Sequence, residues 1–408
     1  MRHPNLTRRQ IATITLVVSV LVIGICLWIG LQRHSNTPDT TNARTVAKPA
    51  PAKYDTAKQP QTVTFAAMGD MLAHDSIVSS AKADTGYDFG KYFANIRGQY
   101  QGVDVVFCNP ETLAVGPDFG ISGYPTFNGP HEFADSLVRD GGCNLINLAT
   151  NHINDKGQAA LDANSKLWDG RSVLAYTGAN RSAEEQQQVK YFTKNGMKIA
   201  FLAFADYSNN TSLTPYGLNS YHDTALFSRL LTEARSKADL VVLSMHWGTE
   251  DSTTVNTDQQ QAAQLAADLG VDVLIGTGPH VLQKTTWVSG KNGHKTLVWY
   301  SIGNMLSSQL QVNELTGIIA KFEARKDPQT SKVALSNLQA QATFMSYAWS
   351  SADRAAGRLD TRNDFKLQTL QSAGDNPAKM FGQQYSFQER LQYIQSTLST
   401  EAGVKVLP

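Results

Sequence analysis

The apolar residues of this chain come mostly in short runs, and a polar cluster follows each run. The clearest run covers residues 241–245 and leads into His246, with Glu250 four residues later. Short apolar runs of this kind are typical of strands that are buried in an α/β sheet. Because such sheets bind ligands just beyond the carboxyl ends of their strands, we expect His246 to face a ligand.

The same pattern predicts further strands and several helices. The predicted strands are 63–68, 103–108, 144–149, 173–177, 198–205, 271–275, 296–300, 317–324 and 332–344, and the predicted helices are 158–168, 225–236, 258–269 and 388–398. Gly270 is placed to end the third of these helices as a C-cap. Because a strand, this helix and another strand follow one another, we expect a βαβ unit whose two strands are parallel.

Side chains that can bind a metal follow six of the predicted strands. They are Asp70, Asn109, Glu111, Asn151, His152, His246, His280 and Asn304. Carboxylate and amide oxygens combined with imidazole suit a divalent ion such as Mn, Fe or Zn. Two such ions can hold a phosphoryl group between them, so a metal or phosphate site is predicted.

Each of these residues also has a simpler interpretation. Asp70 would cap the next helix, and Asn109 with Pro110 would form only a turn. A single histidine at a strand end, such as His74 in the loop after Asp70, is more often structural. The repetition of the pattern over six strands is what favours a shared site.

Composition narrows the class of protein. The chain has 408 residues, of which 41% are hydrophobic, and a formal net charge of +1. It is therefore long enough for one large domain or two ordinary ones, and neither disorder nor nucleic-acid binding is indicated.

The cysteines form no CxxC pair, which argues against a thiolate zinc site. Cys143 begins one predicted strand and Cys108 ends its neighbour, so we expect no disulfide between them.

The N-terminal region predicts a membrane anchor. Ile11–Leu31 carries no charge and is about as long as a bilayer core requires. Arg2, Arg8 and Arg9 precede it, so the positive-inside rule places the N-terminus in the cytoplasm and the main domain outside the cell. A cleaved signal peptide is the alternative. The following residues, up to about 61, are rich in Thr, Ala, Pro and Lys and predict a flexible linker.

Six blocks of sequence, in order, resemble those of the CapA family. These are capsule or poly-γ-glutamate synthesis proteins, related in fold to calcineurin-like metallophosphatases. The resemblance spans roughly residues 62–308. The blocks are Gly69-Asp70, Asn109-Pro110-Glu111, Asn151-His152-Ile153-Asn154-Asp155, His246-Trp247-Gly248-Thr249-Glu250, Gly276 with Pro279-His280-Val281 and Gln283, and Tyr300-Ser301-Ile302-Gly303-Asn304.

The resemblance implies an α/β fold, a four-layer α/β/β/α sandwich of metallophosphatase type, preceded by the transmembrane helix. Together with the anchor and linker inferred from composition, it divides the chain into an anchor (1–34), a linker (35–61), the CapA-like domain (62–347) and a partly helical extension packing on it (348–408). It implies divalent metal ions held by Asp70, Glu111, Asn151, His246 and His280. His152 would be the catalytic acid or a donor that faces the phosphate. The substrate would be bound by Asn109, Glu250 and Asn304. Leu72 stands where metallophosphatases usually carry a histidine, and Gly278 stands where CapA proteins commonly carry one.

The resemblance implies a membrane-anchored, extracellular component of poly-γ-glutamate or capsule polymer synthesis or export. Its partners would be membrane-embedded synthesis subunits, the anionic polymer and the lipid bilayer. Two alternatives remain open from the residues. One is a metal-dependent phosphoesterase or amide hydrolase that acts on a cell-wall or extracellular substrate. The other is a polymer-binding module without catalytic activity, which the substitutions at Leu72 and Gly278 favour.

Overall fold

A computed structural model describes residues 61–398 and 401–408, which lie in one compact unit. The predicted membrane anchor at Ile11–Leu31, and all but the last residue of the predicted linker, lie outside the described residues. Among the helices that are described, none is long and apolar enough to span a bilayer.

The strands form two sheets. The first has nine strands: β1 (Gln61–Met71), β2 (Val105–Pro110), β3 (Leu145–Asn147), β4 (Ala175–Thr177), β11 (Asn304–Leu306), β12 (Thr316–Lys326), β13 (Val333–Ala348), β14 (Asn363–Thr369) and β15 (Lys405–Leu407). The second has six strands: β5 (Lys190–Lys194), β6 (Met197–Ala205), β7 (Leu240–His246), β8 (Val273–Thr277), β9 (Thr285–Ser289) and β10 (Lys295–Trp299). The mixed α/β class predicted from the sequence is confirmed.

The helices connect and cover these strands. They are α1 (Asp75–Ala81), α2 (Gly90–Phe93), α3 (His131–Arg139), α4 (Gln158–Asp169), α5 (Ala183–Gln186), α6 (Thr224–Lys237), α7 (Thr257–Asp268), α8 (Ser351–Ala355), α9 (Leu370–Ala373), α10 (Asn376–Phe381) and α11 (Phe387–Leu398). A capping box of Asn256 and Gln259 starts α7, and Gly270, with φ +84°, follows its end as predicted.

The second sheet is buried on both faces, which explains the nearly continuous apolar runs of its central strands. In β6, Phe201 points towards the first sheet, where its ring meets Phe107 edge-on at 6.2 Å. Its neighbour Phe204 points the other way and packs against Phe227 of α6 at 4.9 Å. The two sheets therefore share one core, and α6 and α7 cover the outer face of the second sheet.

Parallel pairing brings the strand ends to a common edge. In the second sheet His246 pairs with Thr277, which confirms the predicted βαβ unit. In the first sheet Asp70 pairs with Asn109. The chain then passes from β10 in one sheet to β11 in the other, so that Asn304 also lies beside Asp70.

Gly69 leaves the space for this crossing. A Cβ at this position would stand 1.8 Å from the carbonyl oxygen of Gly303, so the two backbones approach as closely as only glycine allows. The nitrogen of Asp70 donates to that same carbonyl at 3.2 Å. The Gly-Asp block thus fixes where the carboxylate emerges, and it does not cap a helix, because α1 begins only at Asp75.

The prediction that Cys108 and Cys143 are not bonded is wrong. The structure joins them in a disulfide, with their Cα atoms 5.7 Å apart. The prediction had Cys143 begin the strand, but β3 starts only at Leu145, which pairs with Phe107 in the middle of β2. Cys143 lies outside the ladder, after a turn at Gly142 (φ +68°), and this turn brings it near Cys108.

The C-terminal region contributes more than the predicted extension. Its strands β14 and β15 both pair with β13 and so complete the first sheet. The polar composition after residue 350 concealed these short strands, because edge strands carry few apolar side chains. The helix α11, which the sequence did predict, buries Ile394 and Leu398 in the main core.

Candidate metal centre

Three of the predicted ligands form one buried group. Asp70, Glu111 and His280 each offer a ligand atom, and these atoms all lie within 4.8 Å of one another. His246 faces the same point, with its Nδ1 3.8 Å from Asp70 and its Nε2 3.6 Å from Glu111. Residues that are up to 210 positions apart in the chain thus converge at the common strand edge.

Glu111 is the clearest sign that this group suits a cation. Both of its carboxylate oxygens are buried, and neither has a hydrogen-bond partner among the described residues. Its nearest imidazole neighbours, His246 and His280, stand 3.6 and 3.8 Å away, beyond hydrogen-bond range. When several ligand atoms each lie about 2.0–2.2 Å from one metal ion, the separations between those ligand atoms are close to the distances seen here. The donor set therefore fits a divalent ion.

His280 is held in an unusual backbone conformation. Its φ of +61° is uncommon for a residue with a side chain, and such conformations concentrate at functional sites. Its Nδ1 lies 3.0 Å from Oδ1 of Asn304 and 3.4 Å from Asp70. Asn304 in turn donates its Nδ2 to the carbonyl of Glu314 at 2.9 Å. Asn304 therefore orients His280, and it is buried beneath the site instead of lining its rim.

His246 is held by hydrogen bonds on both ring nitrogens. Nδ1 lies 3.0 Å from the hydroxyl of Thr277, and Nε2 lies 2.9 Å from Oδ1 of Asn151. The predicted ligand Asn151 is thus in place beside His246, at the turn that follows β3. Thr277, the last residue of β8, was not identified from the sequence, since a threonine at a strand end is common.

Burial and the charges of neighbouring groups shift the pKa values of these side chains. Burial raises the pKa of Glu111 well above its ordinary value, and the charge of Asp70 adds to the effect. Burial lowers the pKa of His246 to about 4. Burial would also lower the pKa of His280, but the charges of Glu111 and Asp70 outweigh it and raise that pKa to about 10. Opposite shifts in adjacent groups are typical of functional sites.

Two buried asparagines, joined by a hydrogen bond, hold Asp70 in place. The Nδ2 of Asn109 donates to Asp70, and the Nδ2 of Asn147 donates to Oδ1 of Asn109 at 2.6 Å. Asn109 is fully buried inside β2, so it does not form the turn that its sequence also suggested, and its predicted role in substrate binding stays a prediction. Asn147 was not predicted from the sequence, although it stands as a polar residue in the middle of a predicted apolar strand.

His152 forms a buried pair with Asp155. The two side chains approach at 2.7 Å between Nδ1 and Oδ2, and the same oxygen accepts from the nitrogen of Phe127 at 2.6 Å. The ring of Phe127 meets the imidazole edge-on at 4.7 Å. A carboxylate on Nδ1 fixes the orientation of the ring and leaves Nε2 for another partner. Asp155 lies in the quoted block but was given no role from the sequence.

Leu72 and Gly278, where the resemblance leads us to expect histidines, have different surroundings in the structure. Leu72 is buried, 3% exposed. Gly278 has φ +106° and donates its nitrogen to Asp70 at 3.1 Å, so its backbone replaces a side-chain contact. A Cβ there would lie 2.9 Å from the carbonyl oxygen of Trp247. His74 does not join the group: its Nδ1 accepts from the nitrogen of Ser308 at 3.4 Å.

A small pocket opens onto the centre. Asn151, Tyr207, His246, Trp247, Gly248, Glu250 and Gly278 line it. Of the three predicted substrate-binding residues, Glu250 alone is exposed, because Asn109 and Asn304 are buried in the supporting network. Tyr207 is 47% exposed at this rim and was not singled out from the sequence.

The solved structures that are similar to this chain have low sequence identity to it. A phosphatase from Mycoplasma pneumoniae is 15% identical, with a TM-score of 0.41, and the match covers 70% of this chain and 94% of that one. A 5'-nucleotidase from Candida albicans SC5314 is 12% identical, with a TM-score of 0.36, over 64% of this chain and 47% of that one.

Sequence relatives are more informative. The PGA biosynthesis protein CapA of Bacillus subtilis (strain 168) is 26% identical over 259 residues, which is 58% of this chain and 66% of that protein. The capsule biosynthesis protein CapA of Bacillus anthracis is 30% identical over 178 residues, 42% of each chain. Each alignment therefore spans less than two thirds of the relative's length.

The family described as bacterial capsule synthesis protein PGA_cap matches residues 64–309, more than half of the chain. This range begins in β1 and ends just beyond β11. It contains every residue of the candidate metal centre. The chain therefore belongs to the PGA_cap family of bacterial capsule synthesis proteins.

Proposed function

We propose that this protein takes part in the production or export of a poly-γ-glutamate or capsule polymer outside the cell. The family match over residues 64–309 carries the proposal, together with the names of the two Bacillus relatives. The uncharged run Ile11–Leu31 would anchor the chain in the membrane, with the main domain facing outward. Its partners would be membrane-embedded synthesis subunits and the anionic polymer itself.

Deletion of the gene tests this proposal directly. We expect the amount of γ-linked glutamate polymer on the cell surface to fall strongly, and a plasmid copy of the wild-type gene to restore it. A copy lacking residues 11–31 should restore little, because the domain would no longer be held at the membrane. Surface polymer that is unchanged in the deletion strain would overturn the proposal.

A second candidate function is metal-dependent phosphoester hydrolysis on a four-layer sandwich of metallophosphatase type. The observation that favours it is the buried His152–Asp155 pair beside Asn151, whose own side chain touches His246. In that reaction Asp70, Glu111, His246 and His280 would hold divalent ions. A bound ion would polarise the phosphoryl oxygen. Water would add to phosphorus as the bond to the leaving oxygen breaks, and His152, oriented by Asp155, would give that oxygen a proton from Nε2.

Hydrolysis of a chromogenic phosphodiester by the purified full-length chain with added Mn²⁺ would test this candidate. We expect Asp70→Ala and His246→Ala to abolish the turnover, because both side chains face the same metal position. A matched control is His131→Ala, an exposed histidine at the start of α3. If both site variants and the control keep the activity of the wild type, this site does not carry the reaction. Bound metal without turnover in the wild type would favour a polymer-binding role.

A further inference from the structure

A groove beside the metal centre collects most of the exposed large apolar side chains in the described part of the chain. Tyr124, Leu310 and Leu359 all line it, with exposures of 77%, 45% and 46%. The groove has a volume of about 830 Å³, which is room for several residues of an extended polymer. Apolar side chains gathered on a concave surface mark binding sites more often than isolated ones do.

The groove begins next to the candidate metal centre. Gln309 lines it and accepts a hydrogen bond from Nδ2 of Asn304, whose Oδ1 contacts His280. His74 lines the same end and meets the ring of Phe127 edge-on at 5.3 Å. A polymer lying in the groove would therefore be connected to His280 through the side chains of Gln309 and Asn304.

Arg362 at the wall of the groove is a buried cation without a countercharge. It is 6% exposed, and no carboxylate of the described residues lies within ion-pair distance of it. Its Nε donates to the carbonyl of Leu359 at 2.7 Å, while Nη1 is buried without a hydrogen-bond partner in the described structure. Its guanidinium stands 5.5 Å from the ring centre of Tyr347. An unpaired buried guanidinium is costly, so an anionic ligand would satisfy it.

The other charges of the groove limit the class of anion. Arg358 is already paired with Asp353, so Arg362 is the arginine that remains free to bind. Asp75, Glu314 and Asp360 also line the groove. These acidic side chains disfavour a dianionic phosphate more than a singly charged carboxylate.

We propose that this groove binds an acidic polymer whose carboxylates are separated by methylene groups. One carboxylate would pair with Arg362, and the methylene groups would pack on Leu310 and Leu359. This inference rests on the proposed function, because a γ-linked glutamate chain has this chemistry. The groove then guides the polymer past the metal centre.

Binding of a fluorescent γ-linked glutamate oligomer to the purified full-length chain tests the inference. We expect Arg362→Gln to weaken binding at least tenfold, since a charge-assisted hydrogen bond to carboxylate is lost. Arg362→Lys should lose part of the affinity, because it keeps the charge without the planar fork. Leu310→Ser, at an exposed rim position, should weaken binding a few-fold without affecting folding. The matched control Arg358→Gln removes the paired arginine of the same groove and should leave affinity within about twofold.

Unchanged affinity in both Arg362→Gln and Leu310→Ser would overturn the inference, and so would tighter binding of inorganic polyphosphate than of the oligomer. The proposed function is tested separately by the surface polymer of the deletion strain. Loss of surface polymer combined with Arg362-independent binding would reject the groove and retain the function. Normal surface polymer combined with Arg362-dependent binding would reject the function and retain the groove as a carboxylate-binding site.

Discussion

Glu111→Gln is expected to abolish metal binding and, at the same time, to leave the metal-free protein at least as stable as the wild type. The wild-type carboxyl group is buried with both oxygens unpartnered in the described structure, and burial raises its pKa, so the metal-free state bears the cost of a buried acid without hydrogen bonds. Glutamine keeps the shape and removes the ionisable group. Replacement of groups that only orient ligands already costs about 10–100-fold in metal affinity, so the loss of a direct ligand should cost more.

Thermal unfolding with and without Mn²⁺, together with the metal content of the purified protein, measures both effects. A ligand at 100 times its dissociation constant stabilises a folded protein by about 2.7 kcal/mol, and this gain should disappear in the variant. Glu389→Gln makes the same substitution at an exposed position of α11 and should retain the full gain. A Glu111→Gln protein that still gains stability from Mn²⁺ would show that this group does not hold the ion.

Loss of the Cys108–Cys143 disulfide should lower the free energy of unfolding by about 3–4 kcal/mol. The bond closes a loop across a sequence separation of 35 residues. Without the bond, the unfolded chain gains conformational entropy, and for a loop of this length the gain favours unfolding by an amount in this range. The variant for this test is the double substitution Cys108→Ala and Cys143→Ala, which leaves no unpaired thiol. Denaturant unfolding under non-reducing conditions gives the difference directly.

A reducing agent provides the internal comparison. Dithiothreitol should destabilise the wild type to about the level of the double variant, and it should change the double variant little. Cys26→Ser removes the third cysteine and should leave the response of the wild type intact. If the wild type unfolds at the same denaturant concentration with and without reductant, the bond contributes nothing and the predicted loss is wrong. An outward-facing domain would keep such a bond oxidised.

The sequence alone predicted the elements of the central strands and the residues at their ends. The apolar run before His246 and the run before His280 became β7 and β8, parallel as expected. This worked because strands that are buried on both faces must be apolar throughout, and because a buried polar residue directly after such a run needs a reason to be there. Asp70 and Glu111 were identified by the same pattern.

Tertiary structure alone decided which of those polar residues face the centre and which support it. Asn109 and Asn304 resemble the ligands in sequence, but each is buried and bonded to the group that it orients, Asp70 or His280. Strand patterns carry no information about register, and the register of β3 is what made the disulfide prediction fail. The unpaired charge of Arg362 was equally hidden, because a missing partner is a property of neighbours that only folding brings together.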